Sequence, residues 1–130
     1  MMDNPLKFKL QLGARKRGSL ILIRNKKQAV IGELNDISAS VGELTETCQR
    51  LSLLKEEQTF LIWKDLNGKN WLLDFCKMGK TIEVKLQLVP EDFLQMPITR
   101  MYWIGLFTEF KRSVDRLCTL LEYKLLLNVR

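Results

Sequence analysis

Two short segments in the first third of the chain carry the residue types best suited to gripping a polar or anionic ligand. One is basic, and the other, residues 32–42, combines a carboxylate, a hydroxyl and a glycine. Arginine pairs well with phosphate and stacks on purines, whereas a carboxylate accepts from base N–H groups and a hydroxyl adds a second bond. Glycine lets the backbone approach a ligand closely. The candidate ligand-binding residues are Arg15, Lys16, Arg17, Asp36, Ser38 and Gly42.

The second segment is also typical of ordinary structure. The run Asn35-Asp36-Ile37-Ser38 suits a turn or the start of a helix, because Asn, Asp and Ser side chains accept hydrogen bonds from nearby backbone amides. By pattern alone this structural alternative is favoured. A ligand site therefore needs support from the elements around it.

Composition narrows the classes of function. A chain of 130 residues with 46% hydrophobic and 28% charged content is typical of one globular domain, here residues 1–130. The absence of histidine removes Ser-His-Asp and Cys-His catalysis and histidine-bound metals. We therefore predict that the protein is not an enzyme and binds no metal or cofactor. The net charge of +6 fits an anionic partner and a simply soluble surface equally well.

The cysteines and apolar runs bear on location. Cys48, Cys76 and Cys118 are odd in number and lack paired spacing, so we expect small core residues rather than disulfides or zinc ligands. No apolar run is long enough to insert into a membrane. We expect no signal sequence at the start of the chain, and a cytoplasmic protein.

Hydrophobic periodicity predicts a mainly β chain. The strand-like segments have alternating or continuous apolar residues bounded by turn residues. They cover residues 6–12, 19–24, 28–34, 59–66, 70–77 and 81–89, and residues 101–110 favour a further strand by their aromatic content. Asn67-Gly68 predicts a two-residue hairpin turn, because both positions tolerate positive φ.

One helix is predicted clearly and a second is left open. Residues 113–127 place apolar side chains on one helical stripe, and we expect this helix to pack against the sheet. Its surplus leucines are either buried in the same domain or face another copy of the chain. Residues 41–54 also have helical spacing, and Ser40 with Glu43 matches a capping box. The predicted fold is a small antiparallel β-barrel or strongly curved sheet with a C-terminal α-helix.

The aromatic residues offer a further alternative. Trp63, Trp71, Tyr102, Trp103 and Phe107 could form a stacking platform for single-stranded nucleic acid. They lie inside apolar runs rather than among lysines and arginines, which favours core packing. We therefore do not expect a nucleic acid partner.

Taken in chain order, these segments resemble the PilZ family, which binds the bacterial second messenger cyclic di-GMP. The resemblance spans residues 13–127. It rests on the basic run before an apolar strand and on residues 32–38, which look like the family's Asp-x-Ser-x-x-Gly motif. It also rests on residues 102–110, which are similar to the Ile-Gly-x-x-Phe strand before the family's C-terminal helix.

The resemblance implies a division of roles among the candidate residues. Arg15 and Arg17 would clamp phosphates and stack on guanine, and Asp36 and Ser38 would recognise the base. This chain departs from the family in two ways: its arginines are two apart instead of four, and its glycine, Gly42, comes one residue late.

Three alternatives follow for the function. The chain is a cyclic di-GMP sensor of the PilZ type, or a degenerate member that signals as a ligand-free adaptor. The family would then imply type IV pilus or flagellar-motility partners. The third alternative is a small α+β partner-binding protein, such as a toxin-neutralising immunity protein. A helix over residues 41–54 would favour this third alternative, because the PilZ family continues into a strand there.

Overall fold

The computed structural model describes residues 5–92 and 95–128, so the start of the chain, where we expect no signal sequence, lies outside the described residues. These residues form a β-β-β-α-β-β-β-β-α chain. The elements are β1 (Lys7–Leu12), β2 (Gly18–Arg24), β3 (Lys27–Val30), α1 (Ile37–Ser52), β4 (Glu56–Lys64), β5 (Asn70–Met78), β6 (Thr81–Val89), β7 (Ile98–Leu106) and α2 (Phe107–Asn128).

The strands form two antiparallel sheets. One has the order β1-β2-β3 and the other has the order β4-β5-β6-β7. The prediction of a mainly β chain closed by a C-terminal helix is confirmed. Among residues 5–92 and 95–128 the two sheets do not close into a barrel, so that form of the prediction is not confirmed.

The middle segment, left open by its sequence, is the helix α1. Asp36 has extended backbone, and its Oδ1 accepts a hydrogen bond from the Ala39 amide at 3.1 Å, which caps the helix. The predicted capping box of Ser40 and Glu43 is wrong, because Ser40 lies one turn inside the helix and is buried. The inward stripe of α1 consists of Ile37, Val41, Leu44, Cys48 and Leu51.

Several other boundaries differ from the prediction; β7, for example, covers Ile98–Leu106 rather than residues 101–110. β3 ends at Val30, and Leu34 forms only an isolated bridge with Gly18 instead of extending the strand. α2 begins at Phe107 rather than at residue 113. Phe107 and Phe110 are buried on the same helical stripe as Val114, which explains the longer helix.

The β4–β5 turn is longer than the Asn-Gly signal predicted. Asp65 N donates to Lys69 O, and Gly68 N donates to Asp65 O, so residues 66–68 form the loop. Gly68 has a φ of 82°, which glycine adopts without strain, whereas Asn67 is not among the positive-φ residues. The two-residue turn was therefore wrong, and the Asp65 side chain, described below, is the reason.

The core joins both sheets through α2. The Phe110 ring lies 6.4 Å from the ring of Phe8 in β1 and 5.7 Å from that of Phe75 in β5, in edge-on and tilted geometries that aromatic rings prefer. Of the five aromatic residues proposed as an alternative stacking platform, all except Tyr102 are buried. Core packing therefore accounts for the four buried ones.

The cysteines are free thiols, as predicted, but of the three only Cys48 is a fully buried core residue. Cys48 is buried among apolar residues, and this burial raises the pKa of its thiol to about 11. Cys76 and Cys118 are half-buried. A thiol with a raised pKa is a poor nucleophile, so Cys48 behaves as a small core residue.

A buried lysine connects both helices to the four-stranded sheet. Lys77 in β5 is 7% exposed, and its Nζ donates to the carbonyl oxygens of Leu51 and Leu54 at the end of α1. The same Nζ lies 4.4 Å from the centroid of the Phe107 ring at the start of α2. The ammonium group thus donates to one carbonyl in the last turn of α1 and to one just after the helix, and it gains a cation–π contact.

We predict that Lys77→Met destabilises the protein strongly. Hydrogen bonds to charged groups contribute about 1.5–3 kcal/mol each, so the free energy of unfolding should fall by about 2–4 kcal/mol in urea denaturation. Lys80→Met, at an exposed turn position, is the matched control and should change it little. Equal stability of the two variants would contradict the role given to Lys77.

Candidate functional site

The structure brings the basic loop against the start of α1. Arg15, Lys16 and Arg17 are exposed in the β1–β2 connection, where Gly13 N donates to Arg17 O. Ile37 N, at the first residue of α1, donates to Lys16 O at 2.9 Å. The two segments that the sequence paired are therefore neighbours.

The Asp36 side chain is already engaged. One carboxylate oxygen caps α1 through the Ala39 amide, so a base N–H group would have to share this carboxylate with the helix. Asp36 and Ser38 would point to the same side only if the chain stayed extended. It does not, because the helix α1 begins directly after Asp36.

Ser38 and Gly42 lie one helical turn apart and both line a groove of about 430 Å³ between α1 and α2. We call this the α1–α2 groove. A Cβ atom on Gly42 would meet nothing within 4 Å, so the glycine is not required by close packing. Glu46 and Glu122 also line the groove, and their carboxylates disfavour a phosphate. Ser38 and Gly42 therefore line a groove with acidic residues, and the three cations of the basic loop are not among the residues that line it.

Gly32, at the start of the candidate segment, is explained by packing against Asp65. A Cβ atom on Gly32 would collide with the Asp65 carboxylate. Asp65 Oδ1 accepts hydrogen bonds from the amides of Asn67 and Lys69, and Oδ2 accepts from Trp71 Nε1, each at 2.9 Å. Asp65 therefore fixes the β4–β5 turn and the indole of Trp71 at once.

Opposing effects act on the pKa of Asp65. Burial alone would raise it, but the hydrogen bonds from Trp71, Lys69 and Asn67, with the Lys69 charge, hold it below its ordinary value. A carboxylate with a lowered pKa in the folded state stabilises the fold above its unfolded pKa. That stabilisation is lost as pH falls through the folded pKa.

We predict that Asp65→Asn changes how the free energy of unfolding depends on pH in the acid range. At pH 7 the variant should lose about 1–3 kcal/mol of unfolding free energy, because hydrogen bonds to a charged acceptor are weakened. Between pH 7 and about pH 4 the wild type should hold this advantage, and below about pH 4 the two curves should converge. Thermal melts across pH measure this, with exposed Glu91→Gln as control. A wild-type advantage that does not shrink as the pH falls below about 4 would contradict the assignment.

The outer face of the four-stranded sheet is a surface that sequence reasoning missed. Side chains of β5 that point inward, such as Leu73 and Phe75, are buried against the core, and those on the opposite face are partly or fully exposed. We call that opposite side the outer face. Its exposed apolar side chains are Phe60, Ile62, Met78, Tyr102, Ile104 and Leu106.

The signal for this surface was present but ambiguous. Residues 60–63 form a continuous apolar run, which is typical of a strand buried on both faces. In the structure Trp63 is buried, whereas Phe60 is 60% and Ile62 is 54% exposed. The exposed apolar side chains lie mainly on the two edge strands, β4 and β7, and the outward side chains between them include Asp74, Glu83 and Lys85. Exposed apolar groups rimmed by polar residues mark interaction sites in soluble proteins.

The end of α2 is a second exposed apolar region. Leu117 and Leu121 pack in the core, whereas Leu126 is 72% exposed and Leu127 is 49% exposed. Burial in the same domain therefore accounts for only part of the leucine surplus. Association with another copy through this helix stays a prediction.

Comparisons with known proteins assign no family. No family model matches the chain, and no curated protein or solved structure matches it. In the part of the chain that the structure describes, no three His, Cys, Asp or Glu side chains are grouped to hold a metal ion. No helix within those residues is both long and apolar enough to cross a membrane.

Proposed function

We propose that the protein is a non-enzymatic binding protein that acts through protein–protein contacts made by the outer face. The exposure of Phe60 and Ile62 at the β4 side and of Ile104 at the β7 side carries this proposal. Apolar surface gains about 25 cal/mol per Å² when it is removed from water, so a partner that covers these side chains is favoured. A ligand-free adaptor and an immunity protein both belong to this class.

The helix α1 favours the α+β form of this proposal. A PilZ-like barrel needs a strand after the Asp-x-Ser motif, and Ile37–Ser52 is helical instead. A compact α+β partner-binding protein, of which a toxin-neutralising protein is one example, fits this geometry better than the barrel does.

A second candidate function, binding of cyclic di-GMP, is favoured by one observation. The contact between Lys16 O and Ile37 N holds three cationic residues beside the N-terminal end of α1, where the helix dipole also favours anions. The capping role of Asp36 and the acidic lining of the α1–α2 groove weigh against it. This candidate is the PilZ-like sensor.

We predict that a charge on the outer face abolishes partner binding. Ile104→Lys places an ammonium group where an apolar contact is expected, and Gln11→Lys adds the same charge at an exposed position of β1. Affinity capture from a lysate of the source cells should retain the same protein on the wild type and on Gln11→Lys, but not on Ile104→Lys. Identical capture by all three proteins would overturn the assignment of the outer face.

Calorimetric titration with cyclic di-GMP separates the two candidates. The partner-binding proposal predicts no heat at high micromolar ligand. Heat that is present in the wild type and in Lys26→Ala/Lys27→Ala, but lost in Arg15→Ala/Arg17→Ala, would favour the sensor instead. The control removes the same charge from the β2–β3 turn.

A further inference from the structure

The edge of the four-stranded sheet points to a second copy of this chain. We propose that β4 of one copy pairs antiparallel with β4 of another, with Phe60 on the two-fold axis. Two four-stranded sheets would thereby join into one sheet of eight strands. This inference uses the backbone edge of β4 and does not depend on a partner at the outer face.

The backbone of β4 is open along one side. Asp65 N donates to Lys69 O and Gly79 N donates to Lys55 O, which identifies hydrogen-bonded pairs at both ends of the β4–β5 ladder. Hydrogen-bonded pairs alternate in antiparallel strands, so the odd-numbered residues of β4 face β5. The even-numbered residues turn their N–H and C=O groups outward. Among the described residues, no other strand pairs with them.

Side chains cover the corresponding outward carbonyls on two other strand edges. Lys124 Nζ donates to Leu10 O of β1 at 2.7 Å, and Arg24 Nη1 donates to Tyr102 O of β7 at 2.8 Å. Proteins protect strand edges from association in this way. On the described β4 edge the exposed side chains include Phe60 and Ile62 instead. Of the β1, β4 and β7 edges, β4 is therefore the one most open to pairing, up to Leu66, whose amide donates to Glu33 O just after the strand.

The sequence of β4 is self-complementary about Phe60. When Phe60 lies opposite its equivalent, Glu56 of each copy lies opposite Lys64 of the other, which gives an opposite-charge pair at each end. This register matches even-numbered residues with even-numbered ones, as the outward hydrogen-bonding groups require. A shift of two residues places Glu56 opposite Ile62 or Leu66 and loses both charge pairs.

The resulting interface is isologous, because the same strand serves both copies. Phe60, which is 60% exposed in one copy, would lie beside its equivalent across the axis, on the same outer face. The outer faces would become continuous over both copies. This is a closed dimer, since pairing uses the β4 edge of both chains.

Sedimentation equilibrium tests the dimer and its register. The wild type should show twice the 15.2 kDa chain mass at high micromolar concentration and dissociate on dilution. Glu56→Lys or Lys64→Glu alone should weaken association about tenfold, because each turns both attractive pairs into repulsive ones. The double variant Glu56→Lys/Lys64→Glu should restore it. Glu83→Lys, on the interior strand β6, is the control and should not change it.

A monomeric mass at every concentration would overturn the proposal. A double variant that associates no more tightly than either single variant would also overturn it, because in the proposed register the double variant restores both opposite-charge pairs. Neither result would affect the capture of a partner at the outer face, so the dimer and the proposed function are tested independently.

Cysteine substitution tests the position of the axis directly. In a Cys76→Ser background, Phe60→Cys should form an interchain disulfide on mild oxidation, because Cα atoms in a hydrogen-bonded pair lie about 5.5 Å apart, within disulfide range. Ile62→Cys should not, because it would lie opposite Gln58. Crosslinking at both positions or at neither would overturn the register.

Discussion

The Lys77 ammonium group lies between the end of α1 and the first residue of α2, and the meeting of both helices with the four-stranded sheet depends on it. Its hydrogen bonds reach one carbonyl in the last turn of α1 and one just after the helix, and the Phe107 ring of α2 lies against it. A buried charge without partners would cost several kcal/mol, so sheet, helix end and ring must be in place together. Both helices are consequently held on the inner side of the sheet. The outer face and the β4 edge are left exposed, and these are the surfaces to which we assign function.

Elements with a regular pattern could be predicted from the sequence. β6 alternates apolar and polar residues and lies where its alternation indicated, and α2 follows its apolar stripe. The start of α1 was misplaced because Ser40 and Glu43 match a capping box as well as Asp36 matches an N-cap. Burial of Ser40 against the core decides between them, and burial depends on the tertiary structure. The β4–β5 turn was misjudged for a similar reason, since Asp65 is fixed by Trp71 and packs on the distant Gly32.

The candidate site was predictable in part. The basic loop and Asp36 flank one hairpin in the chain, so their proximity could be predicted. The hydrogen bond from Ile37 N to Lys16 O confirms it. The directions of Ser38 and Gly42 could not be predicted, because they depend on whether the chain continues as a strand or a helix. The outer face could not be predicted, because the apolar run at residues 60–63 fits a strand buried on one face or on both, and packing on the inner face decides between them. Local pattern also treats an edge strand and a central strand alike, and strand order decides that β4 is an edge strand.

The open edge of β4 is where the fold and the proposed association meet, and amide hydrogen exchange measures it residue by residue. In an isolated copy, the amides of Thr59 and Leu61 are bonded to β5 and exchange slowly, whereas those of Gln58, Phe60 and Ile62 face outward and exchange quickly. Pairing about Phe60 predicts slow exchange at all five amides at high protein concentration, with protection of the even-numbered ones lost on dilution. Fast exchange of the even-numbered amides at every concentration would contradict it.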